Sequence, residues 1–333
     1  MPAELPVVDV AGVGLNATDT LICLPHFPAF DSKVEFLSAE IHPGGQVASA
    51  LIACQQWGLS TRYIGKVGDD GAAELQHREF ARAGVEAHLI AVPGCASQTA
   101  FILVDQPTGE RTILWRRDAR LTIRPEELHR EWILRSRAMH LDGHDTAAAA
   151  IAARWARQAG IPVSADLDNV YPGVEALLEN VDYLIASRQF PARLTGEADL
   201  LHSLPALHRR YGCRVVGVTL GREGALAWDG GQFYHAPAYQ VAAVDTTGAG
   251  DIFHGAFVYA LLQGWPLSRQ LEFSCAAAAL NCTALGARGG IKSVPEIERL
   301  IRQGPRHPAA FDRAKLERRR NRVRRGCETF RTT

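Results

Sequence analysis

Near its C-terminal end, this 333-residue chain reads Asp245-Thr246-Thr247-Gly248-Ala249-Gly250-Asp251. Apolar side chains follow at helical spacing as far as Leu261, and Gly264 then ends the pattern. The glycines are therefore predicted at the N-terminus of a buried helix, where backbone amides lack partners and the helix dipole is positive. Such a turn binds an anion, and glycine lets a phosphate approach the backbone.

A carboxylate beside a predicted phosphate site has two interpretations. Asp251 either takes the proton from an incoming hydroxyl as its oxygen attacks phosphorus, or it only caps the helix. The nearby Asp245 and Thr247 favour the catalytic interpretation, because they add oxygen atoms suited to a cation or to a fixed turn. The predicted chemistry is phosphoryl transfer, with the helix amides stabilising the charge that develops on the transferred group.

Strand and helix patterns alternate upstream of this stretch. Residues 7–14 read as a buried strand, Gly44-Gly45 opens a helix, residues 61–67 form the next strand and residues 72–83 the next helix. Further strands are expected near residues 138–141, 162–166, 182–185 and 214–219, with β-rich stretches at 99–115 and 224–244. The alternation predicts a doubly wound α/β fold with a mostly parallel sheet.

Composition excludes several classes of protein. Lys plus Arg and Asp plus Glu number 36 each, so the overall charge indicates neither a nucleic-acid partner nor an anionic membrane. No apolar run is long enough for a membrane helix, and the first residues do not resemble a signal peptide, so we expect a cytoplasmic protein. The seven cysteines never occur in C-x-x-C spacing, which argues against a disulfide framework or a zinc site.

The stretch 245–251, followed by Phe253 and Gly255, resembles the C-terminal signature of the ribokinase (PfkB) family of carbohydrate kinases. Gly44-Gly45 and the run Gly65-Lys66-Val67-Gly68-Asp69-Asp70-Gly71 are similar to its N-terminal signature. The resemblance implies a ribokinase-like three-layer α/β/α body at residues 1–305, with a small β-sheet lid from segments near 17–42 and 97–118. Residues 306–333 are rich in arginine and are interpreted as a basic C-terminal tail.

The resemblance also implies roles for individual residues. Asp251 matches the family's catalytic base, and Gly248, Ala249 and Gly250 match its anion hole. Substrate-binding positions correspond to Asp19, Gly44, Gly45, Gln46 and Ser49. Arg111, on the lid hairpin, is expected to close over phosphate or sugar, and an exposed strand arginine is the alternative.

Nucleotide and cation positions follow from the same resemblance. ATP with Mg²⁺ is implied, held by Thr219, Gly221, Gly224, Gly248, Gly250, Asn281 and Gly286. Asp245 and Thr247 match residues that arrange a K⁺ site in some members. A structural role for Asn281 in its helix is the alternative.

Two departures from the family pattern bear on metal and substrate. Many members carry N-x-x-E, whose glutamate organises water around magnesium, whereas this chain has Ser187-Arg188-Gln189-Phe190. Ketohexokinase-like and sulfofructose-kinase-like members also lack that glutamate, and other segments resemble theirs, so we expect a ketose substrate. Gln46 and Ser49 stand where ketohexokinase has sugar-contacting asparagines, so the sugar itself is not specified.

Two alternatives remain at this stage. A nucleoside kinase of the same fold would need an aromatic side chain to stack a base, and Phe30, Phe101 and Trp115 are candidates. A non-catalytic sugar or nucleotide sensor is the other, since fold alone does not establish activity. The expected partner is a small sugar, and a homodimer formed through the lid is a further expectation.

Overall fold

The computed structural model describes residues 5–311 and residue 316. Within them the strands, in chain order, are β1 (Val8–Val13), β2 (Ala17–Leu24), β3 (Ser38–Gly44), β4 (Thr61–Val67), β5 (Glu86–Ala91), β6 (Thr99–Asp105), β7 (Arg111–Arg116), β8 (Ser136–Asp142), β9 (Val163–Leu167), β10 (Tyr183–Ser187), β11 (Val215–Thr219), β12 (Ala225–Trp228) and β13 (Phe233–Ala236). The helices are α1 (Gln46–Gln56), α2 (Gly71–Ala83), α3 (Arg130–Leu134), α4 (Thr146–Gln158), α5 (Val174–Leu178), α6 (Phe190–Thr195), α7 (Leu200–Tyr211), α8 (Ala249–Leu262), α9 (Leu267–Asn281) and α10 (Val294–Gln303).

The large sheet has nine strands in the order β13-β12-β11-β10-β9-β8-β1-β4-β5. Neighbours from β11 to β5 run parallel, and only the β11–β12–β13 edge is antiparallel. Helices cover both faces, so the strands are buried on both sides: Leu184 faces one apolar core and its neighbour Ile185 the other, each fully buried. The predicted three-layer α/β/α body is confirmed.

The smaller sheet has four strands in the order β3-β2-β6-β7 and comes from the two segments that the resemblance assigns to a lid. Its two faces differ because side chains alternate along each strand. Leu21 and Ile102 are buried on the inner face, where Leu285 of the body packs against them. On the outer face, Phe101 and Leu114 are paired across the strands and remain exposed.

The carboxyl ends of the parallel strands point toward this smaller sheet. Strand β1 lies between β8 and β4, so the order of the strands reverses there. In open α/β sheets the ligand site lies at such a reversal, outside the carboxyl ends of the strands. The fold therefore places a site between the ends of β1 and β8 to β11 and the lid.

The chain continues to pack against the body beyond the predicted boundary at residue 305. Arg306 forms an ion pair with Glu272 and lies over the ring of Tyr239, and Phe311 packs against the larger core. The arginine-rich run 318–325 lies outside the described residues. Within the described part of the chain, the six cysteines are unpaired thiols, and no helix is long and apolar enough to cross a bilayer.

Candidate active site

The N-terminus of helix α8 forms one wall of a cavity of about 340 Å³. Gly248 is the N-cap residue, with a φ of 73° that favours glycine, and a Cβ there would lie 2.3 Å from the carbonyl oxygen of Ala287. No described oxygen accepts a hydrogen bond from the amides of Gly250 and Asp251, and a Cβ on Gly250 would meet open space. The helix therefore directs unpaired donors toward the cavity, as an anion site requires.

Asp245 fixes the turn that leads into this helix. Its Oδ1 accepts hydrogen bonds from the amide and the hydroxyl of Thr247, at 2.8 and 2.7 Å, and its Oδ2 accepts one from the amide of Gly286 at 2.9 Å. The carboxylate is fully buried, so these bonds replace its hydration. Asp245 thus joins the two loops that border the anion site.

Asp251 lies in the first turn of α8 and lines the cavity. Desolvation raises the pKa of its carboxyl to about 8, and the negative charge of Asp166 adds to the effect. Arg111 and Arg288 oppose the rise. A carboxyl with this pKa gives a stronger base near neutral pH than an ordinary aspartate does.

Asp19, on lid strand β2, lines the same cavity with only 5 % of its surface exposed. Its carboxylate is accommodated because residue 44 has no side chain: a Cβ on Gly44 would lie 2.0 Å from Asp19 Oδ2. Burial raises the pKa of Asp19 to about 6, and the positive charge of Arg288 opposes the rise. The Gly-Gly pair at the start of α1 therefore makes room for a buried acceptor.

Two glutamine side chains add polar groups that the protein leaves unpaired. Gln46 at the start of α1 and Gln98 just before β6 both line the cavity, and the Oε1 atom of each is buried without a partner among the described residues. The backbone beside Gln98 is firmly held, because the Ser97 amide and hydroxyl both donate to Asp70 and the Gln98 carbonyl accepts from the Thr18 amide. Buried amides left unpaired on a fixed backbone are typical of a ligand site.

The hairpin between β6 and β7 holds the lid against the body. Arg111 lines the cavity and its Nη1 donates to the Thr246 hydroxyl at 2.9 Å. The carbonyl of Gly109 accepts from both the amide and the hydroxyl of Thr246, at 3.1 and 3.0 Å. These contacts close the lid over the start of α8, which restricts the access of water.

The opposite side of the cavity is formed by the ends of β9, β10 and β11. Asp166, Asp168, Ser187 and Thr219 line it, together with His254 of α8. His254 Nε2 lies 3.1 Å from Asp166 Oδ1, and both side chains are buried. Phe190, where the family glutamate would stand, is fully buried in the larger core. No cluster of three metal-ligating side chains occurs in the described part, so a divalent ion would depend on ligands other than protein carboxylates alone.

Most of the predicted site residues meet at this cavity, and some do not. The lining includes Asp19, Gly45, Gln46, Arg111, Thr219, Thr247, Gly248, Gly250 and Asp251. The residues outside the lining are Gly44, Ser49, Gly221, Gly224, Asp245, Ala249, Asn281 and Gly286.

Asn281 and Ser49 have partners within the protein. The fully buried Asn281 donates to the carbonyls of Thr247 and Ala287 at 3.2 and 3.1 Å, so its side chain holds the two loops together instead of facing the cavity. The Ser49 hydroxyl is also fully buried and accepts a hydrogen bond from Arg288. For these two positions a direct ligand contact stays a prediction, although their polar atoms already have partners within the protein.

Sequence reasoning missed Gln98, Asp166, Asp168 and His254. Asp166 ends the predicted strand 162–166 and Asp168 follows it, so both could have been found from the rule that ligands lie at the carboxyl ends of parallel strands. Nothing in the local sequence distinguishes Gln98 or His254, since each reaches the cavity only through tertiary packing.

Residues 5–293 match the pfkB family of carbohydrate kinases. The chain belongs to this family. It is accordingly a carbohydrate kinase, a phosphotransferase that uses an alcohol group as acceptor.

Similar proteins include several sugar kinases. The ATP-dependent ribose-1-phosphate kinase of Halopiger xanaduensis is 31% identical over 85% of this chain and 94% of the relative. The 5-dehydro-2-deoxygluconokinase of Geobacillus thermodenitrificans is 24% identical over 78% of this chain and 83% of the relative. Among solved structures, a protein assigned as a ribokinase from Agrobacterium tumefaciens has a TM-score of 0.81 at 31% identity, covering 89% of this chain and 98% of its own. An Escherichia coli protein assigned as ribokinase II, solved with ATP and Mg²⁺, has a TM-score of 0.77 at 22% identity, covering 89% and 99%.

Proposed function

We propose that this kinase moves the γ-phosphoryl group of ATP onto a hydroxyl of an uncharged ketose, with Asp251 as the general base. The observation that carries the proposal is that Asp251, the unpaired amides at the start of α8 and the buried Asp19 all face one cavity. A base, an anion site and a sugar acceptor within one enclosed space are what phosphoryl transfer to an alcohol requires.

The reaction follows from these positions. A carboxylate oxygen of Asp251 takes the proton from the sugar hydroxyl as that oxygen bonds to the γ-phosphorus and the bond to the β-phosphate oxygen breaks. The amides of Gly250 and Asp251 donate to the phosphoryl oxygens, where charge develops. Lid closure through Gly109 and Thr246 keeps water from taking the place of the sugar.

The site fits a Mg²⁺ ion that binds together with the nucleotide. Magnesium retains several waters and is commonly bound by substrate phosphates with one or two carboxylates, and Asp166 and Asp168 line the nucleotide side of the cavity. When bound there, the ion neutralises phosphate charge. A K⁺ site at Asp245 and Thr247 stays a prediction, since the Asp245 carboxylate already accepts three hydrogen bonds.

The polar groups of the sugar end favour an uncharged acceptor. Asp19 supplies a carboxylate, and the amides of Gln46 and Gln98 supply unpaired acceptor oxygens, all suited to hydroxyl groups. A sugar phosphate would need a cation for its own phosphate. The one arginine in the described lining, Arg111, contacts Thr246 beside the anion site, and Arg288 lies outside the lining. The ketose assignment itself rests on the resemblance to ketohexokinase-like and sulfofructose-kinase-like members.

A nucleoside is the second candidate acceptor, because Trp115 lines the cavity and is 57 % exposed, which leaves its indole face available to a base. The indole packs edge-on against His144, with ring centroids 6.2 Å apart. Phe30 does not line the cavity and is fully exposed.

The lid also supports the proposal of a homodimer. Ile41 of β3, Phe101 of β6 and Leu114 of β7 lie on its outer face and are each more than half exposed. Thr20, paired with both Ile41 and Phe101, completes a row across the sheet. A second copy of the same row would bury this apolar strip, which solvent otherwise contacts.

ADP release from the purified protein with Mg-ATP tests the proposed function. The acceptor panel contains ketoses, aldoses, sugar phosphates, sulfofructose and nucleosides, and the Asp251→Asn variant is the blank. Turnover with an uncharged ketose that vanishes in the variant is the expected result. Turnover only with nucleosides or with sugar phosphates would overturn the acceptor assignment, and sugar binding without turnover would favour a sensor.

A further inference from the structure

Arg288 follows the loop that packs against the anion site, and its side chain extends toward the sugar end. Its Nη2 donates to the carbonyl of Gly44 at 2.7 Å, at the end of lid strand β3. Its Nε donates to the Ser49 hydroxyl at 3.1 Å, in the first turn of helix α1. One guanidinium therefore joins the lid to the body directly beside Gly45, which lines the cavity.

The charge of this guanidinium has no direct counter-ion. Among the described residues no carboxylate lies within 4.0 Å of it, and the Nη1 atom is buried without a hydrogen-bond partner. Burial lowers the pKa of Arg288 to about 10, which still leaves it protonated at neutral pH. A cation in this state costs folding free energy, so its presence indicates a role in the site rather than in stability.

We propose that Arg288 is a positioning residue for phosphoryl transfer, which holds the junction between lid strand β3 and helix α1 beside Asp19 at the sugar end of the cavity. The inference rests on the proposed function of Asp251 as the base. Arg288 acts through the two carboxylates and the Gly44-Gly45 backbone, and it needs no contact with ATP.

The electrostatic part of the role follows from the groups around Asp251. The charged side chains that act on it are Asp166 of β9, Asp19 of β2, Arg111 of β7 and Arg288. The two aspartates raise the pKa of Asp251 and the two arginines lower it. Arg288 also lowers the pKa of Asp19, so it favours the charged form at both ends of the sugar site.

The geometric part follows from Gly44. Its carbonyl binds Arg288, and its missing side chain makes the space that the Asp19 carboxylate occupies. Loss of the guanidinium would therefore loosen the strand end against which Asp19 is seated. Such a change weakens sugar binding and leaves the anion site, built by the loop at 245–248, in place.

Four variants separate charge from hydrogen bonding. Arg288→Met removes both, Arg288→Lys keeps the charge without the two-point contact, and Ser49→Ala removes one hydrogen bond and keeps the arginine. Arg154→Met is the matched control, on the exposed side of α4. For each we would measure the pH profile of kcat/KM, the KM for the sugar, and nucleotide affinity by calorimetry.

Arg288→Met is expected to move the acid limb of the profile up by about one pH unit and to raise the sugar KM about fivefold or more. Arg288→Lys is expected to raise the sugar KM with the acid limb in its wild-type position. Ser49→Ala should raise the sugar KM less and leave the limb unmoved, and nucleotide affinity should stay within about twofold in all of them.

An unmoved acid limb in Arg288→Met, or an unchanged sugar KM in Arg288→Lys, would overturn the proposal. If Arg288→Met does not fold, the lysine variant decides the matter through the sugar KM. Failure of the proposed function is recognised separately, because it would show as retained turnover in Asp251→Asn whatever the arginine variants do.

Discussion

Asp251 and Asp19 line the same cavity, although Asp251 belongs to helix α8 of the body and Asp19 to strand β2 of the lid. The negative charge of Asp19 raises the pKa of Asp251, and burial is the main cause of the raised pKa of both carboxyl groups. A sugar bound between them would donate a hydrogen bond from one hydroxyl to Asp19 and lose the proton of its reacting hydroxyl to Asp251.

The first prediction concerns pH. Because desolvation raises the pKa of Asp251 to about 8, most of the free enzyme carries a protonated base at pH 7. Only the ionised form accepts a proton, so kcat/KM is expected to rise as pH increases from 6 to 9, with the steepest change near 8. Steady-state kinetics across this range are the measurement, and a profile that falls over the same interval would contradict the assignment.

The second prediction concerns stability. The folded-state pKa of Asp251 lies above its ordinary value of 3.8, so the fold penalises the ionised carboxyl and stability is lost as pH rises toward 8. Asp251→Asn should therefore raise the melting temperature more at pH 9 than at pH 4. Asp70→Asn is the contrasting variant, because hydrogen bonds from Ser97 and Ala73 lower the pKa of Asp70 and its replacement should destabilise the fold at neutral pH. Equal shifts at both pH values in Asp251→Asn would be inconsistent with a raised pKa.

The third prediction concerns Gln98. Its buried amide oxygen lacks a partner, so a sugar hydroxyl is expected to supply one, and a hydrogen bond of this kind contributes about 1 kcal/mol. Gln98→Ala should raise the KM for the sugar about fivefold and leave the KM for ATP unchanged. Gln106→Ala, at an exposed position of the lid hairpin, is the control. An equal effect on both substrates would show that Gln98 supports the lid rather than the sugar.

The fourth prediction concerns the outer face of the lid. A double change of Phe101 and Leu114 to glutamate places charges on the exposed apolar row and should convert a dimer into a monomer in sedimentation analysis. Glu40→Gln, on the same sheet but at a polar position, should leave the assembly unchanged. A monomeric wild-type protein would refute the proposed dimer outright.

Local patterns predicted much of this structure, because a helix start or a buried strand is decided by neighbouring residues. The stretch 245–251 predicted the N-terminus of α8, and the position of Asp251 in its first turn, from glycines and apolar spacing alone. Asn281 and Ser49 could not be assigned in the same way. Their polarity signals a partner, and only tertiary packing decides whether that partner is a ligand or, as here, the backbone and Arg288.

The role of Arg288 could not be predicted from the local sequence either. The residue lies in a glycine-rich loop with no local feature that sets it apart, and its partners Gly44 and Ser49 are more than 200 residues away in sequence. Asp166 and Asp168, by contrast, lie near the carboxyl end of β9, a strand whose direction was predictable. The rule for parallel sheets would therefore have placed them at the site.

The central claim is that Asp251 removes the proton of the acceptor hydroxyl, and the most direct test compares turnover and nucleotide affinity in wild type and Asp251→Asn. With the best acceptor from the panel, turnover in the variant is expected to fall by a factor on the order of 100 or more, with ATP affinity within about twofold of wild type. Turnover close to that of wild type, with ATP bound equally well, would contradict the assignment of Asp251 as the base.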